Sequence, residues 1–555
     1  MKRLRFSRHA FALFGLCATL LINSAVPAAA KDPRVQIDSS YVANVVRFLE
    51  QATFGPTESS IAHVQNIGFK MFLQEQYNAP VSTYPNLTPW PIRKPDDCTG
   101  TCVRDNYTMY PLQVRFFLNA LNGPDQLRQR VAFALSQILV VSGIKVRQPS
   151  WMSPYLNLLA NEAFGNYRQI LYDMTLNPAM GDYLDMVNND KANATGTIQP
   201  NENYAREVMQ LFSIGVNMLH QDGTLQLDAQ GQPIPTYSQE TIEGFAHAFT
   251  GWTYAAQPGM TMRPHNPPNY LQPMVLYRDA RGRDLNHDKG AKQLLSYPGA
   301  AHPNLPPDQD GDVDLNEAID NIFHHPNVGP FIGKQLIQHL VTSNPSPAYV
   351  SRVAAAFNNN GLGVRGDMKA VISAILLDPE ARGNEKTAAD YGHLREPALF
   401  IANLCRAFNA TSDGVLNDQC RAMGQDLFNS PSVFNYYPHQ YTVPGTTIEG
   451  PEFGIESTSA SLTRANVVNT LVFARIRPAG STGTTIDLSG LTALAGNSTA
   501  LVDALDLLLM HNSMSAAMRS TIINTVSDIP ASNSLLRAQT ALYLVAASPQ
   551  YQVER

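Results

Sequence analysis

The stretch NENYAREVMQLFSIGVN, residues 201–217, decides the fold class, because its apolar residues repeat with the period of an α-helix. They recur at i, i+4, i+7 and i+8, the spacing that places side chains on one buried stripe of a helix. The stripe consists of Tyr204, Val208, Leu211 and Phe212. The segment is therefore predicted to be an amphipathic helix packed against a core.

The opposite face of this helix carries the row Asn203, Glu207 and Gln210, where a solvated helix usually carries Lys and Glu. Amides and acids on a partly buried face need hydrogen-bond partners on neighbouring segments. We expect the row to face the helix that contains FAHAFTGW, residues 245–252, and the loop HDKGAK, residues 287–292.

Helical spacing continues through most of the chain, and no β–α–β alternation appears. Examples are YVANVVRFLEQAT, QLRQRVAFALSQILVV, VGPFIGKQLIQHLV and LLRAQTALYLVAAS. Strand-like patterns are confined to YLQPMVLYRD and to TLQLDAQGQPIPTYS, which favours a small hairpin around Gln230 and Gly231. We predict a mainly α fold, a large multi-helix globular domain with long irregular loops and at most a small β-hairpin.

The first thirty residues have the pattern of a signal peptide that is removed on export. MKRLRFSRH is basic, AFALFGLCATLLINSAV is apolar, and residues 28–30 supply an A-x-A cleavage site. No later run reaches the roughly 18 apolar residues that a membrane span needs. We expect an exported protein without a membrane span, located in a bacterial periplasm or outside the cell.

The charge balance argues against nucleic-acid binding. Removing Lys2, Arg3, Arg5 and Arg8 from 40 basic residues leaves 36, against 46 acidic residues, so the mature chain is acidic. Nucleic-acid binders depend on a basic excess that neutralises phosphates.

We expect a main helical domain over residues 31–478 and C-terminal helices over residues 479–555 packed on it, with the connector GSTGTT at residues 480–485.

Four cysteines remain after removal of the signal peptide: Cys98, Cys102, Cys405 and Cys420. In an oxidising compartment, the local pairs 98–102 and 405–420 are the simplest disulfide pattern. Four cysteines can also hold zinc, but spacers of three and fourteen residues differ from the usual zinc motifs.

Three predicted loops, at residues 79–106, 254–315 and 429–456, are too long to be simple connectors. The third contains SPSVFNYYPHQYTVPG, whose Tyr436 and Tyr437 are candidate binding residues. Aromatic rings on a loop can stack on sugars or contact a partner protein, and they can equally anchor the loop to the core. We expect both tyrosines to be exposed.

A set of polar residues from neighbouring segments is the strongest candidate for chemistry. Glu207 and His247 are the candidate catalytic residues, as an acid and a base, and Glu243 with His247 could bind one divalent metal ion as a cofactor. The candidate binding residues are Asn203, Trp252, His287, Asp288 and Lys292. A structural role is the alternative, because His247 stands between two phenylalanines, as half-buried histidines often do.

The acidic run DQDGDVD, residues 308–314, resembles a calcium loop in composition only. It lacks the glycine and the glutamate that an EF-hand requires at its sixth and twelfth positions. The alternatives are a different calcium site and a solvated run that precedes a helix, where negative charge is favourable.

The chain resembles the bacterial domain-of-unknown-function family numbered 1800 from about residue 45 to the C-terminus. The motifs that carry the resemblance are RFLEQATFGPT, PNENYAREVMQLFSIG, FAHAFTGW, HDKGAK, LREPA and SPSVFNYYPHQYTVPG. The resemblance implies a large exported protein, often encoded beside a second exported protein with a sulfatase-like sequence, which is a candidate partner. It implies no catalytic residue.

Two functional hypotheses follow. One is a hydrolase that acts on an extracellular polymer through Glu207 and His247. The other is a non-catalytic exported scaffold or binding protein that works with a neighbouring exported enzyme.

Overall fold

The computed structural model describes residues 39–383 and 388–555. The signal peptide expected at residues 1–30 lies outside the described residues. Ser39–Arg555 form one compact unit. Within the described residues, no helix combines the length and the hydropathy of a membrane span.

The N-terminal half is built from helices joined by irregular segments. They are α1 (Ser39–Ala52), α2 (Glu58–Asn78), α3 (Thr101–Asn106), α4 (Tyr110–Asn122), α5 (Gln126–Ile138), α6 (Pro149–Glu162), α7 (Tyr167–Thr175), α8 (Pro178–Tyr183), α9 (Asn203–Gln210) and α10 (Gln239–Ala248).

The C-terminal half repeats this pattern with thirteen helices in the described residues. They are α11 (Gly311–Phe323), α12 (Val328–Leu340), α13 (Pro347–Asn358), α14 (Met368–Leu376), α15 (Pro379–Arg382), α16 (Pro397–Ala407), α17 (Asn417–Ala422), α18 (Thr458–Phe473), α19 (Ser489–Leu494), α20 (Ser498–Met510), α21 (Ala516–Ser527), α22 (Ser534–Ala546) and α23 (Pro549–Gln552). The prediction of a mainly α fold is confirmed.

Strands in the described residues are short and form four antiparallel pairs, β1–β2, β3–β4, β5–β8 and β6–β7. They are β1 (Trp252–Thr253), β2 (Val275–Leu276), β3 (Lys292–Gln293), β4 (Asn304–Leu305), β5 (His393–Leu394), β6 (Thr411–Ser412), β7 (Thr484–Thr485) and β8 (Val553–Glu554). The hairpin expected around Gln230 and Gly231 is present as a bridged loop, with Leu227 opposite Pro233.

Polar caps and prolines explain where many helices begin. Ser346 caps α13, and Pro347 follows it at the first helical position, where its missing N–H costs nothing. Asp367 accepts hydrogen bonds from the first backbone amides of α14. The order of these elements follows from local sequence, whereas their packing depends on the core.

Helix α5 forms the centre of the core, because it is buried on almost every face and contacts α2, α4, α6 and α12. Its polar side chains therefore need partners inside the protein. Arg130 donates to the backbone oxygen of His339 in α12 at 2.5 Å. Gln137 donates to Glu396 Oε1, just before α16, at 3.1 Å.

A cluster of buried charges joins segments that are distant in the sequence. Arg395 Nη2 lies 2.9 Å from Glu50 Oε2 of α1, and Arg395 Nε lies 3.7 Å from Glu554 Oε2 of β8. His511, which follows α20, also contacts Glu50, and His393 Nε2 lies 3.6 Å from Glu554 Oε2. We call these five buried residues the buried charge cluster: Glu50, His393, Arg395, His511 and Glu554. The cluster links α1 to β8 near the C-terminus.

The charges of this cluster fix its protonation. Burial alone would lower the pKa of His393, but the carboxylates of Glu554 and Glu452 outweigh burial and raise the pKa to about 9. Burial favours the neutral acid of Glu554, yet the positive charges of His393 and Arg395 hold its pKa well below the usual value. His393 and Glu554 are therefore both ionised at neutral pH.

The C-terminal helices are connected to the rest of this unit, since α20 contacts α1 and α22 contacts α18. The boundary at residues 478 and 479 stays a prediction.

We expect Arg395→Met to destabilise the protein by about 3–5 kcal/mol, because it leaves buried carboxylates without their partner. The shift of the urea unfolding midpoint measures this effect. Arg421→Gln is the matched control, since Arg421 pairs with Asp418 at 2.5 Å on the surface, where ion pairs contribute about 1 kcal/mol or less. Equal shifts for the two variants would contradict a special role for the cluster.

Candidate functional site

The polar row of α9 bonds to segments other than those expected. Asn203 Nδ2 donates to Asp185 Oδ2, after α8, at 3.1 Å. The Tyr237 hydroxyl donates to Gln210 Oε1 at 3.5 Å. Although α9 contacts α10, the hydrogen bonds of the row do not reach the HDKGAK loop, which corrects our expectation.

Glu207, in the middle of this row, is buried, with 8% of its surface exposed. Its Oε2 is buried and has no hydrogen-bond partner. Burial raises the pKa of Glu207, and the nearby charge of Arg206 reduces that effect only in part. A carboxyl group in this state is suited to hold a proton.

His247 pairs with Asp288 instead of Glu207. The distance from His247 Nδ1 to Asp288 Oδ2 is 2.8 Å, and the side chains are 31% and 17% exposed. Across the described residues, neither a hydrogen bond nor an ion pair joins Glu207 to His247. The hydrogen bond from His247 lowers the pKa of Asp288 to about 2, so Asp288 is a carboxylate at neutral pH.

The metal hypothesis for Glu243 and His247 finds no support in the geometry. Glu243 Oε1 accepts a hydrogen bond from Gln239 at 3.3 Å, within its own helix. In residues 39–383 and 388–555, no group of three or more His, Cys, Asp or Glu residues is placed to hold a metal ion.

The HDKGAK loop is fixed by buried ion pairs. His287 Nε2 and Lys292 Nζ lie 2.9 Å and 2.7 Å from Asp314 Oδ2 of α11, and all three side chains are almost fully buried. Trp252, in β1, is 2% exposed. These positions are those of core residues, and none of them presents a binding surface.

The aromatic loop at residues 429–456 also packs inward. Tyr437 is 4% exposed and donates to Glu396 Oε2 at 3.1 Å. Tyr436 is half-buried and donates to the Asp426 backbone oxygen at 2.6 Å. The prediction that both tyrosines are exposed is therefore wrong. A cavity of about 40 Å³, lined by Tyr437, His339 and Glu452 among others, lies beneath this loop.

Two aspartates of the acidic run at the start of α11 pair with one arginine. Arg278 lies 2.8 Å from Asp310 Oδ1 and 2.7 Å from Asp312 Oδ2. Asp310 also caps α11 through the Asp312 amide. The run is a helix start, which favours the structural alternative over a calcium site.

An open groove of about 950 Å³ lies between the first and second long loops. We call it the aromatic groove. Its wall from the first loop includes Arg93 and Lys94, with Tyr107 directly after that loop, and its wall from the second includes Tyr254 and Tyr270. Trp151 of α6, Lys145 and Arg147 of the preceding segment and Asp182 of α8 also line it.

Stacked rings form one side of the aromatic groove. The Trp151 and Tyr270 rings are parallel within 9°, with centroids 4.4 Å apart. Tyr254 donates from its hydroxyl to the Tyr270 hydroxyl at 3.3 Å. Tyr270 and Tyr254 are buried, while Trp151 remains partly exposed. A fixed indole ring therefore borders the open space.

Two of the four cations in the aromatic groove have no partner. Lys145 is paired with Asp185 at 2.6 Å, and Lys94 donates to the Cys98 backbone oxygen at 3.1 Å. Arg93 and Arg147 are exposed, and their guanidinium groups make no hydrogen bond or ion pair with any described residue. Their charge is available to a ligand.

A family model described as "Protein of unknown function (DUF1800)" matches residues 47–553, nearly the whole chain. The chain belongs to this family. No curated protein and no solved structure matches it. The resemblance identified from the sequence motifs is thus confirmed, and the functional question rests on the geometry of this DUF1800 protein alone.

None of the residues in the aromatic groove was singled out in the sequence. The available signal was the length of the first two loops, which predicted a functional role without saying which side chains meet. The helix that contains Trp151 mixes polar and apolar residues, so the sequence does not show which of its side chains are exposed. Tertiary packing determines the partial exposure of Trp151.

The cysteines of this DUF1800 protein divide into one bridged pair and two free thiols in the described residues. Cys98 and Cys102 form a disulfide, as expected. Cys405 and Cys420 are free and buried, so the expected second disulfide is corrected. Cys405 lies on the buried face of α16 and Cys420 in α17, where each packs as a small apolar side chain.

We expect thiol labelling to separate these two classes in protein that lacks residues 1–30. Native protein should react little with N-ethylmaleimide, because burial hides Cys405 and Cys420 and raises the pKa of Cys405 to about 12. Urea without reductant should expose two thiols, and reduction should expose two more. Labelling in urea that appears only after reduction would show that a second disulfide exists.

Proposed function

We propose that this protein is an exported binding protein for acidic polysaccharides and that the aromatic groove holds the polymer. The observation that carries the proposal is the pair of unpartnered guanidinium groups, Arg93 and Arg147, beside the partly exposed ring of Trp151. A flat ring offers an apolar face to a sugar, and arginine recognises carboxylate, sulfate or phosphate groups through paired donors.

Export supports a polymer outside the cell as the ligand. The signal-peptide pattern predicts export, and the Cys98–Cys102 disulfide is compatible with an oxidising compartment. Without residues 1–30 the chain has 36 basic and 46 acidic residues, so its general field repels acidic polymers. Binding would therefore depend on the local cations of the aromatic groove, which favours a specific site over general attraction.

Acidic peptides and nucleic acids fit the aromatic groove less well. Extended peptides often bind by adding a strand to an exposed sheet edge, and the walls of this groove come from helices and loops. Single-stranded nucleic acid needs a long basic channel with strong salt dependence, whereas only two unpaired cations are present here.

We expect the double variant Arg93→Gln and Arg147→Gln to weaken binding of polygalacturonate fragments by at least about 10-fold, because a hydrogen bond to a charged group contributes about 1.5–3 kcal/mol. Trp151→Ala should weaken binding by at least about 10-fold as well, because it removes the apolar ring face offered to the sugar. Isothermal titration calorimetry measures the affinity. Binding should also weaken as salt rises, since the rim charges are exposed.

The control for these variants is Arg475→Gln, because Arg475 is an exposed arginine outside the aromatic groove. It should bind as the wild type does. Equal affinity for neutral dextran, or tighter binding of polyglutamate or single-stranded DNA than of any acidic polysaccharide, would overturn the proposal.

A catalytic role for Glu207 is a second candidate function, and it retains the hydrolase hypothesis. The favouring observation is the buried, unpartnered Oε2 of Glu207 together with its raised pKa, which suits a general acid. Asn203, one turn earlier, bonds to Asp185, and Asp185 binds Lys145 at the aromatic groove. The backbone of Glu207 lies one helical turn, about 6 Å, along α9 from that of Asn203.

Reducing ends released from a panel of acidic polysaccharides test this second function. If Glu207 is a general acid, Glu207→Gln should lower the release at least about 100-fold, as general acids contribute typically that much, while the melting temperature stays near that of the wild type. Absence of release by the wild type from every polymer in the panel would remove the hydrolase hypothesis and leave the binding proposal intact.

A further inference from the structure

A second groove, of about 760 Å³, continues the aromatic groove along the same helix. Trp151 lines the aromatic groove, while Pro154, Leu158 and Asn161 line the second one. Steps of three, four and three residues separate Trp151, Pro154, Leu158 and Asn161, so all four lie on one face of α6. The two grooves therefore lie one after the other along that face.

The flanking walls of the two grooves are also continuous. Residues 86–89 border the second groove and residues 92–94 border the aromatic groove, so the first long loop forms one wall of both. On the other side, Tyr270 lines the aromatic groove and its neighbour Leu271 lines the second groove. Together they make one furrow, which extends about 16 Å from Trp151 to Glu162 at the helical rise per residue.

The chemistry changes along the furrow. The second groove has no cation in its lining, and its apolar side chains include Leu87, Leu158 and Leu271. Asn86 of the first loop and Asn161 of α6 are exposed, and their amide groups make no hydrogen bond with any described side chain or backbone group. Such amides can donate to and accept from hydroxyl groups.

The charge of the second groove disfavours an acidic ligand group. Glu162 is its only charged side chain, and it is partly buried. An acidic sugar placed there would meet a carboxyl group and no compensating cation. A neutral sugar ring, with apolar faces and hydroxyl edges, matches the leucines and the two free amides.

We propose that the second groove binds uncharged sugar units of the same chain whose acidic unit occupies the aromatic groove. The ligand is then a mixed oligosaccharide, with an acidic residue next to neutral ones, in a fixed direction along α6. This inference rests on the proposed binding function. Both parts of the furrow act on one ligand, so each neutral unit that reaches the second groove adds affinity.

The test compares glucuronic acid alone with oligosaccharides in which glucuronic acid is linked to successively more neutral xylose units. Calorimetry should show affinity rising with length until the furrow is filled. Asn86→Ala combined with Asn161→Ala should lower the affinity for the longer oligosaccharides about 10-fold, as expected for the loss of two hydrogen bonds, and leave glucuronic acid binding unchanged.

Two further variants make the result specific. Arg147→Gln should weaken glucuronic acid and the oligosaccharides alike, because both place the acid in the aromatic groove. Asn466→Ala is the matched control, since Asn466 is an exposed asparagine on α18, and it should bind as the wild type does. Melting curves check that every variant is folded.

The outcomes separate this inference from the proposed function. If affinity is independent of length and the double asparagine variant equals the wild type, the second groove has no such role, while acidic binding in the aromatic groove stands. If neither glucuronic acid nor any oligosaccharide of the series binds, and polygalacturonate also fails, the proposed function itself is overturned.

Discussion

The ion pairs of Arg395 are the constraint on which the rest of the structure depends. One guanidinium group contacts Glu50 from α1 and Glu554 from β8, so it joins two described elements that are about 500 residues apart in the sequence. Buried ion pairs often add little net stability over apolar residues, but they strongly disfavour arrangements that leave a charge unpaired. The buried charge cluster therefore selects one packing of helices that apolar stripes alone would leave less defined.

Many polar residues in the motifs that carry the family resemblance also hold separate segments of the chain together. Asp314 holds His287 and Lys292, and Asp288 holds His247, so the HDKGAK loop is tied to α10 and α11. These are the positions at which charged and aromatic side chains in the sequence suggest chemistry. Their contacts explain them as internal partners, because buried polar groups must be paired. Glu207 differs from them, since no hydrogen bond or ion pair joins its carboxyl group to a described residue, whereas Asp314 is paired through Oδ2.

Local patterns predicted the helices, but they could not predict which distant segments meet. The apolar stripe of residues 201–217 and the polar helix caps depend on near neighbours, and the mainly α fold follows from them. The aromatic groove depends on three segments, around Arg93, Trp151 and Tyr270, brought together by the core. Likewise, the buried Tyr437 hydroxyl donates a hydrogen bond to Glu396, and the sequence around neither residue predicts this contact.

The aromatic groove has walls that are fixed before any ligand arrives. Gln148, at the start of α6, donates to the backbone oxygens of Trp90 and Pro91 at 2.9 Å and 3.0 Å, and Tyr107 donates to the same Pro91 oxygen at 2.7 Å. The Cys98–Cys102 disulfide closes the loop between these contacts. Ordering a loop or side chain on binding costs affinity, so a wall that is already held leaves more of the contact energy for the ligand. A long loop held in this way is what a binding groove requires, whereas a loop that only connects two helices has no need of such anchors.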